Sequence, residues 1–140
     1  MRRRTVLQGM GGAFAMAAGL ARLEGQAASG VCFELRVYHA AEGKMDALLT
    51  RFRDHTMALF ARHGITSVGY WVPVDDGPLK GRMLYYMLKY PSRAEATLRW
   101  KAFQTDPEWL KVRDASEANG KLTEKTESTF LELTDFSPKV

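Results

Sequence analysis

The stretch VCFELRVYH, residues 31–39, alternates Phe33, Leu35 and Val37 with Glu34, Arg36 and Tyr38. A period of two is the signature of a β-strand, in which successive side chains point to opposite faces. One face of this strand is therefore apolar, and the other carries a carboxylate, a guanidinium and a phenol in a row. A strand of that kind needs a partner for each face, and the residues around it say what kind of fold supplies them.

Downstream, the periodicity changes in a regular order. After Gly43 a long helical pattern sets in, with Met45, Leu48, Leu49, Phe52, His55, Thr56, Leu59 and Phe60 at spacings of three and four. Gly64, directly after His63, stands where a helix C-terminal glycine belongs. Strands follow over residues 66–74 and 82–90, joined by a loop holding Pro73, Asp75-Asp76-Gly77-Pro78 and Gly81.

Ser92 with Glu95 three residues on forms a capping box for a helix running to about Phe103. Asp106-Pro107 starts another, with an N-cap acid and a proline whose missing N–H costs nothing at the first helical position. This helix is expected to stop at Asn119-Gly120, and a last strand to cover roughly residues 127–133. The sum is α+β: a ferredoxin-like βαββα(α)β order with a four-stranded antiparallel sheet and helices on one face.

Upstream, residues 1–29 read as a leader rather than as fold. Arg2-Arg3-Arg4 precedes an uncharged run from Gly9 to Ala21, and small residues follow at Ala27, Ala28 and Ser29, the order of a signal peptide. Arg3-Arg4-Thr5-Val6-Leu7 fits the twin-arginine export pattern. The uncharged run is shorter than the roughly 18 to 20 residues that span a bilayer, so an anchor is not expected. The expectation is a periplasmic or secreted protein with one domain over residues 30–140 and no membrane contact after cleavage.

The whole chain has 20 basic and 16 acidic residues, a formal charge of +4. Arg2, Arg3, Arg4 and Arg22 against Glu24 carry most of that excess, leaving the domain at about +1. Neither a basic stripe nor a phosphate loop is present, which argues against a nucleic-acid partner. Cys32 is alone, so no intramolecular disulfide is possible, and it reads as a small buried apolar residue.

No HxxxH or HExxH spacing occurs, and no metal site is expected. His55 falls on the apolar stripe of the first helical pattern and reads as packing. His63 precedes the capping glycine and reads as a cation favoured by the helix dipole. Trp100 and Trp109 read as core or dimer contacts. Lys44, Arg51, Arg53, Arg62 and Lys101 read as solvated helix faces.

The chain resembles the NIPSNAP family, a branch of the dimeric α+β barrel superfamily. The resemblance rests on FELRVY followed by GKM, RHGI at the helix end, VGYW in the second strand, DPEW before the third helix and FSP near the C-terminus, over residues 33–138. It implies a homodimer in which two four-stranded sheets close face to face into a barrel with helices outside. No family-wide catalytic set comes with it.

With that barrel in mind, Phe33, Leu35 and Val37 are expected to face the helices, and Glu34, Arg36 and Tyr38 the space between the two sheets. There they would form a ligand-binding floor, walled by Tyr70 or Trp71 and by Tyr85 or Tyr86, with Tyr70 and Tyr85 as the candidates. A structural ion pair between Glu34 and Arg36, with no ligand, is the competing expectation. The corresponding functions are small-molecule binding in the dimer cavity without a cofactor, or a cofactor-poor oxygenase or isomerase-like enzyme acting on an aromatic or polyketide-like substrate. For the enzyme, Arg36 would hold an oxyanion, Glu34 would orient or act as base, and Tyr38 or His39 would move a proton. A haem-binding protein with His39 as ligand is a further alternative.

Overall fold

The computed structural model describes residues 30–140, so the expected leader lies outside the described residues. The strands are β1 (Cys32–Ala40), β2 (Thr66–Trp71), β3 (Met83–Tyr90) and β4 (Thr123–Leu131). They form one antiparallel sheet in the order β2-β3-β1-β4, so the polar-striped strand β1 is central. Helices α1 (Met45–Arg51) and α2 (Met57–Arg62) lie in the first crossover, and α3 (Arg93–Gln104) and α4 (Pro107–Ser116) in the second.

The helix ends are fixed by the residues that announce them. Gly64 has φ +69°, and its N–H donates to the Ala61 carbonyl while the Ile65 N–H donates to that of Phe60. This pair of bonds closes a helix C-terminus and requires the left-handed conformation that glycine adopts freely. The Glu95 N–H donates to Ser92 Oγ at 3.1 Å, and the Glu108 N–H to Asp106 Oδ1 at 2.8 Å, so both expected N-caps are made.

Some boundaries differ from expectation. β2 stops at Trp71, short of Pro73, which has no N–H to give a ladder. β4 begins at Thr123 because its pairing with β1 extends to Ala40 across an irregularity after His39. α4 ends at Ser116, before Asn119-Gly120.

The first helical pattern is not one α-helix. Between α1 and α2, Phe52–Thr56 form a π-helical turn, a feature often found at functional sites. The turn sends Thr56 inward, where it is buried and its hydroxyl donates to the Arg51 carbonyl at 3.3 Å. His55 is exposed, which corrects its expected place in the core.

The faces of β1 are also the reverse of those expected. Glu34, Arg36 and Tyr38 point toward the helices: the Arg36 guanidinium carbon lies 4.0 Å from the Trp100 ring centroid on α3, and the Tyr38 ring packs edge-on against Phe52. By alternation, Phe33, Leu35, Val37 and His39 lie on the uncovered face. The physical reason is that the polar side chains satisfy one another within the protomer, so the helix layer buries them without an unpaired charge. Register carries the assignment across the sheet. Tyr86 pairs with Arg36 and Tyr70 with Tyr86, placing both tyrosines on the helix side. Tyr85 and Trp71 face away, on the side where the second sheet was expected, so Tyr85 is separated from Glu34, Arg36, Tyr38 and Tyr70.

Candidate functional site

The centre of the site is a buried ion pair. Arg36 Nη1 donates to Glu34 Oε2 at 2.7 Å, and Glu34 is 2% exposed. Glu34 also accepts from the Tyr90 hydroxyl at 3.0 Å and from the Ser128 hydroxyl on β4. Arg36 Nε donates to the Tyr86 hydroxyl at 2.9 Å, and Nη2 to that of Tyr38 at 3.4 Å. The carboxylate and guanidinium are thus held by groups from all three strands β1, β3 and β4, as a charge removed from water requires.

Burial works to lower the affinity of Arg36 for its proton, but the oxygens of Tyr86, Tyr38 and Glu34 outweigh it, and the guanidinium stays charged. Burial raises the Tyr90 phenol, and the Glu34 charge raises it further, so Tyr90 remains a donor. Tyr86 is likewise raised, first by burial. Tyr70 is raised by burial against the opposing effect of its 2.8 Å contact with the Ser67 hydroxyl.

Beside this network a chamber of about 200 Å³ opens between sheet and helices. Its sheet wall is Arg36, Tyr38 and Thr126. Arg51, Phe52, Thr56 and Phe60 form the second wall, from α1, the π-turn and α2. Trp100, Phe103, Gln104, Trp109 and Arg113 close it from α3 and α4. Gln104 and Thr126 are exposed and Arg113 half-buried, so the mouth lies over the edge strand β4.

Arg51, expected to be solvated, is the residue that sequence reasoning missed. Its side chain is only 6% exposed. Nη1 donates to Ser116 Oγ at 3.2 Å and to Glu117 Oε1 at 3.4 Å, and its guanidinium carbon lies 5.1 Å from the Trp109 ring centroid. Nε is buried and has no hydrogen-bond partner among the described residues. An orphaned, charged N–H costs about 1–3 kcal/mol or more until an acceptor reaches it. The signal in the sequence was spacing: Arg51 stands three residues after Leu48 and next to Phe52, on the apolar stripe.

The remaining candidates fall elsewhere. Tyr70 is on the helix side and stacks on Tyr86 at 5.3 Å, but it does not line the chamber. Tyr85 is on the uncovered face. His39 is on that face too, at the end of β1, with Nε2 3.3 Å from Glu127 Oε2. His63 Nε2 lies 2.7 Å from Asp106 Oδ2 and so ties the end of α2 to the cap of α4. Cys32 is buried, and burial raises its thiol.

Comparison with known proteins places this arrangement. The NIPSNAP family profile matches residues 33–138. Among solved structures, the chain is similar to a NIPSNAP family protein from Agrobacterium tumefaciens, at 27% identity over 77% of this chain and 97% of that one, with a TM-score of 0.65. It is also similar to a NIPSNAP-like domain protein from Burkholderia xenovorans, at 19% identity over 80% and 92% of the two chains, with a TM-score of 0.67. A second Agrobacterium tumefaciens protein, a NIPSNAP family protein with unknown function, has 22% identity over 79% and 94%, with a TM-score of 0.64. The latter two likenesses are of fold. No curated protein matches the sequence.

Proposed function

This chain belongs to the NIPSNAP family, and from that premise we propose that it binds a small aromatic carboxylic acid inside each protomer, in the chamber between sheet and helices. The observation that carries the reading is Arg51: a buried cation on the chamber wall with an unpartnered Nε, surrounded by aromatic rings. Arg36 is already engaged by Glu34 and two phenols, and Arg113 is paired with Asp114 at the mouth, so the Arg51 Nε is the buried donor left for a ligand. Trp109, Phe103 and Phe52 supply ring faces and edges. A cavity of about 150 Å³ holds a benzene ring, so about 200 Å³ suits a single ring with a short acidic arm.

The test is calorimetric titration of the domain with 3-phenylpropanoate. The reading expects a dissociation constant on the order of 0.1 mM, as ligand efficiencies of small molecules suggest. Arg51→Met should weaken it at least about tenfold while the circular dichroism spectrum is kept. Absence of heat and of any chemical-shift change at millimolar ligand would end the reading.

We also propose that a second copy of the chain covers the other face of the sheet. Leu35, Val37, Tyr85 and Met87 lie there half-buried, and Trp71 is 51% exposed beside them. The centre of this face is apolar and no helix among the described residues covers it, and a twofold-related copy of the sheet would meet it with the same residues. The twin-arginine pattern supports export of the domain, which cleavage of the leader in a periplasmic fraction would test.

A further inference from the structure

A groove of about 640 Å³ runs between α1 and α4 on the outer side of the helix layer. Its walls are Ala47, Thr50 and His55 on one side and Val112 and Ala115 on the other, with Lys111 and Glu108 also lining it. Arg51 belongs to both the groove and the aromatic chamber. Its side chain stands where the two border each other.

We propose that the two cavities are the two halves of one binding site, and that its ligand is an aryl-alkanoic acid substituted next to the carboxylate, such as an N-acylated aromatic amino acid. The inference rests on the proposed recognition of an acid by Arg51. A carboxylate held by Arg51 can carry carbon into both cavities if the atom next to it bears two arms. One arm is a ring, because the chamber is walled by Phe52, Phe60, Trp100, Phe103 and Trp109. The other arm lies in the groove, which is roughly three times larger and lined by aliphatic and polar side chains, with the His55 imidazole in place of the benzene and indole rings of the chamber.

The groove walls suit an amide followed by a short acyl chain. Thr50 and Ser116 offer hydroxyls near Arg51, and Ala47, Val112 and Ala115 offer apolar surface beyond them. The contacts now holding Arg51 to α4 are long, at 3.2 and 3.4 Å, and one of them goes to a partly solvated Glu117. They yield readily to a carboxylate that binds the guanidinium more closely.

The experiment is a calorimetric series with 3-phenylpropanoate, N-acetylphenylalanine, N-butanoylphenylalanine and N-hexanoylphenylalanine. The proposal expects affinity to rise along the acyl series by about two- to fourfold per methylene, the gain for burying a CH₂ partly or fully. Ala115→Trp, at an exposed position, fills the groove and should remove that gain while leaving 3-phenylpropanoate unchanged. Ala47→Trp, exposed on the opposite wall, should do the same if the first variant fails to fold. Equal affinity across the acyl series, or a gain that survives both tryptophans, would overturn the two-armed ligand while 3-phenylpropanoate still binds. Failure of 3-phenylpropanoate itself together with all acyl compounds would overturn the chamber reading first, and this inference with it.

Discussion

The guanidinium carbon of Arg36 lies 4.0 Å from the ring centroid of Trp100, so a charge on the central strand is packed directly against α3. Contacts of this kind are worth about 2 kcal/mol when desolvated. On its other side Arg36 neutralises Glu34. The same residue therefore joins sheet to helices and makes a buried carboxylate tolerable.

Arg36→Met should consequently cost about 3–5 kcal/mol, because it leaves the Glu34 charge uncompensated in the core. Glu34→Gln combined with Arg36→Met should recover most of that loss, since the amide oxygen can accept from Tyr90 while its NH2 donates to the Ser128 hydroxyl oxygen. Urea denaturation of the two variants measures the difference. Equal instability of both would show that the penalty is lost packing against Trp100 rather than an orphaned charge.

Leu35→Lys addresses the uncovered face. The side chain is half-buried on the face opposite the helices, so the protomer should fold with little change while an interface there gains an unpaired ammonium. Light scattering should report a dimer for the parent chain and a monomer for the variant. A monomeric parent would contradict the proposed pairing of sheets.

Asp106 links pH to stability. Its carboxyl is held below the ordinary aspartate range, chiefly by the contact with His63 and then by the Glu108 backbone N–H. A depressed folded value means the contribution is fully present above the unfolded value, about 3.9. It is lost as pH falls through the folded one. Thermal unfolding between pH 6 and pH 2.5 should therefore decline more steeply in the parent than in Asp106→Asn. Parallel curves would mean that the cap carries no linked proton.

The tryptophans offer an optical check. Trp100 and Trp109 line the chamber, whereas Trp71 is on the far face. With Trp71→Phe as background, 3-phenylpropanoate should shift or quench the remaining emission. In the Trp100→Phe/Trp109→Phe double variant it should do neither. A response carried by Trp71 would place the ligand on the uncovered face.

The element order, the caps at Ser92 and Asp106 and the glycine at 64 were legible because each depends on neighbours in sequence. The direction of β1 was not. Alternation separates two faces without saying which one the helices cover, and the hydroxyls from outside β1 that hydrogen-bond Glu34 and Arg36 come from β3 and β4. Tyr86 and Ser128 are distant in sequence, and only register brings them there. The π-turn left no mark on composition; Thr56 is buried, as its spacing predicts, but His55 is turned out of the interior. Arg51 was hidden by its type: a helical arginine is ordinarily solvated, and only its place beside Phe52 hinted otherwise.

The most direct measurement is a co-crystal structure of the domain with 3-(4-bromophenyl)propanoate, locating bromine by its anomalous signal. The account predicts a peak inside the chamber among Trp109, Phe103 and Phe52, with the carboxylate within hydrogen-bond reach of Arg51 Nε. A peak confined to the outer groove, to the uncovered sheet face or to the lattice, with the chamber side chains unmoved, would contradict it.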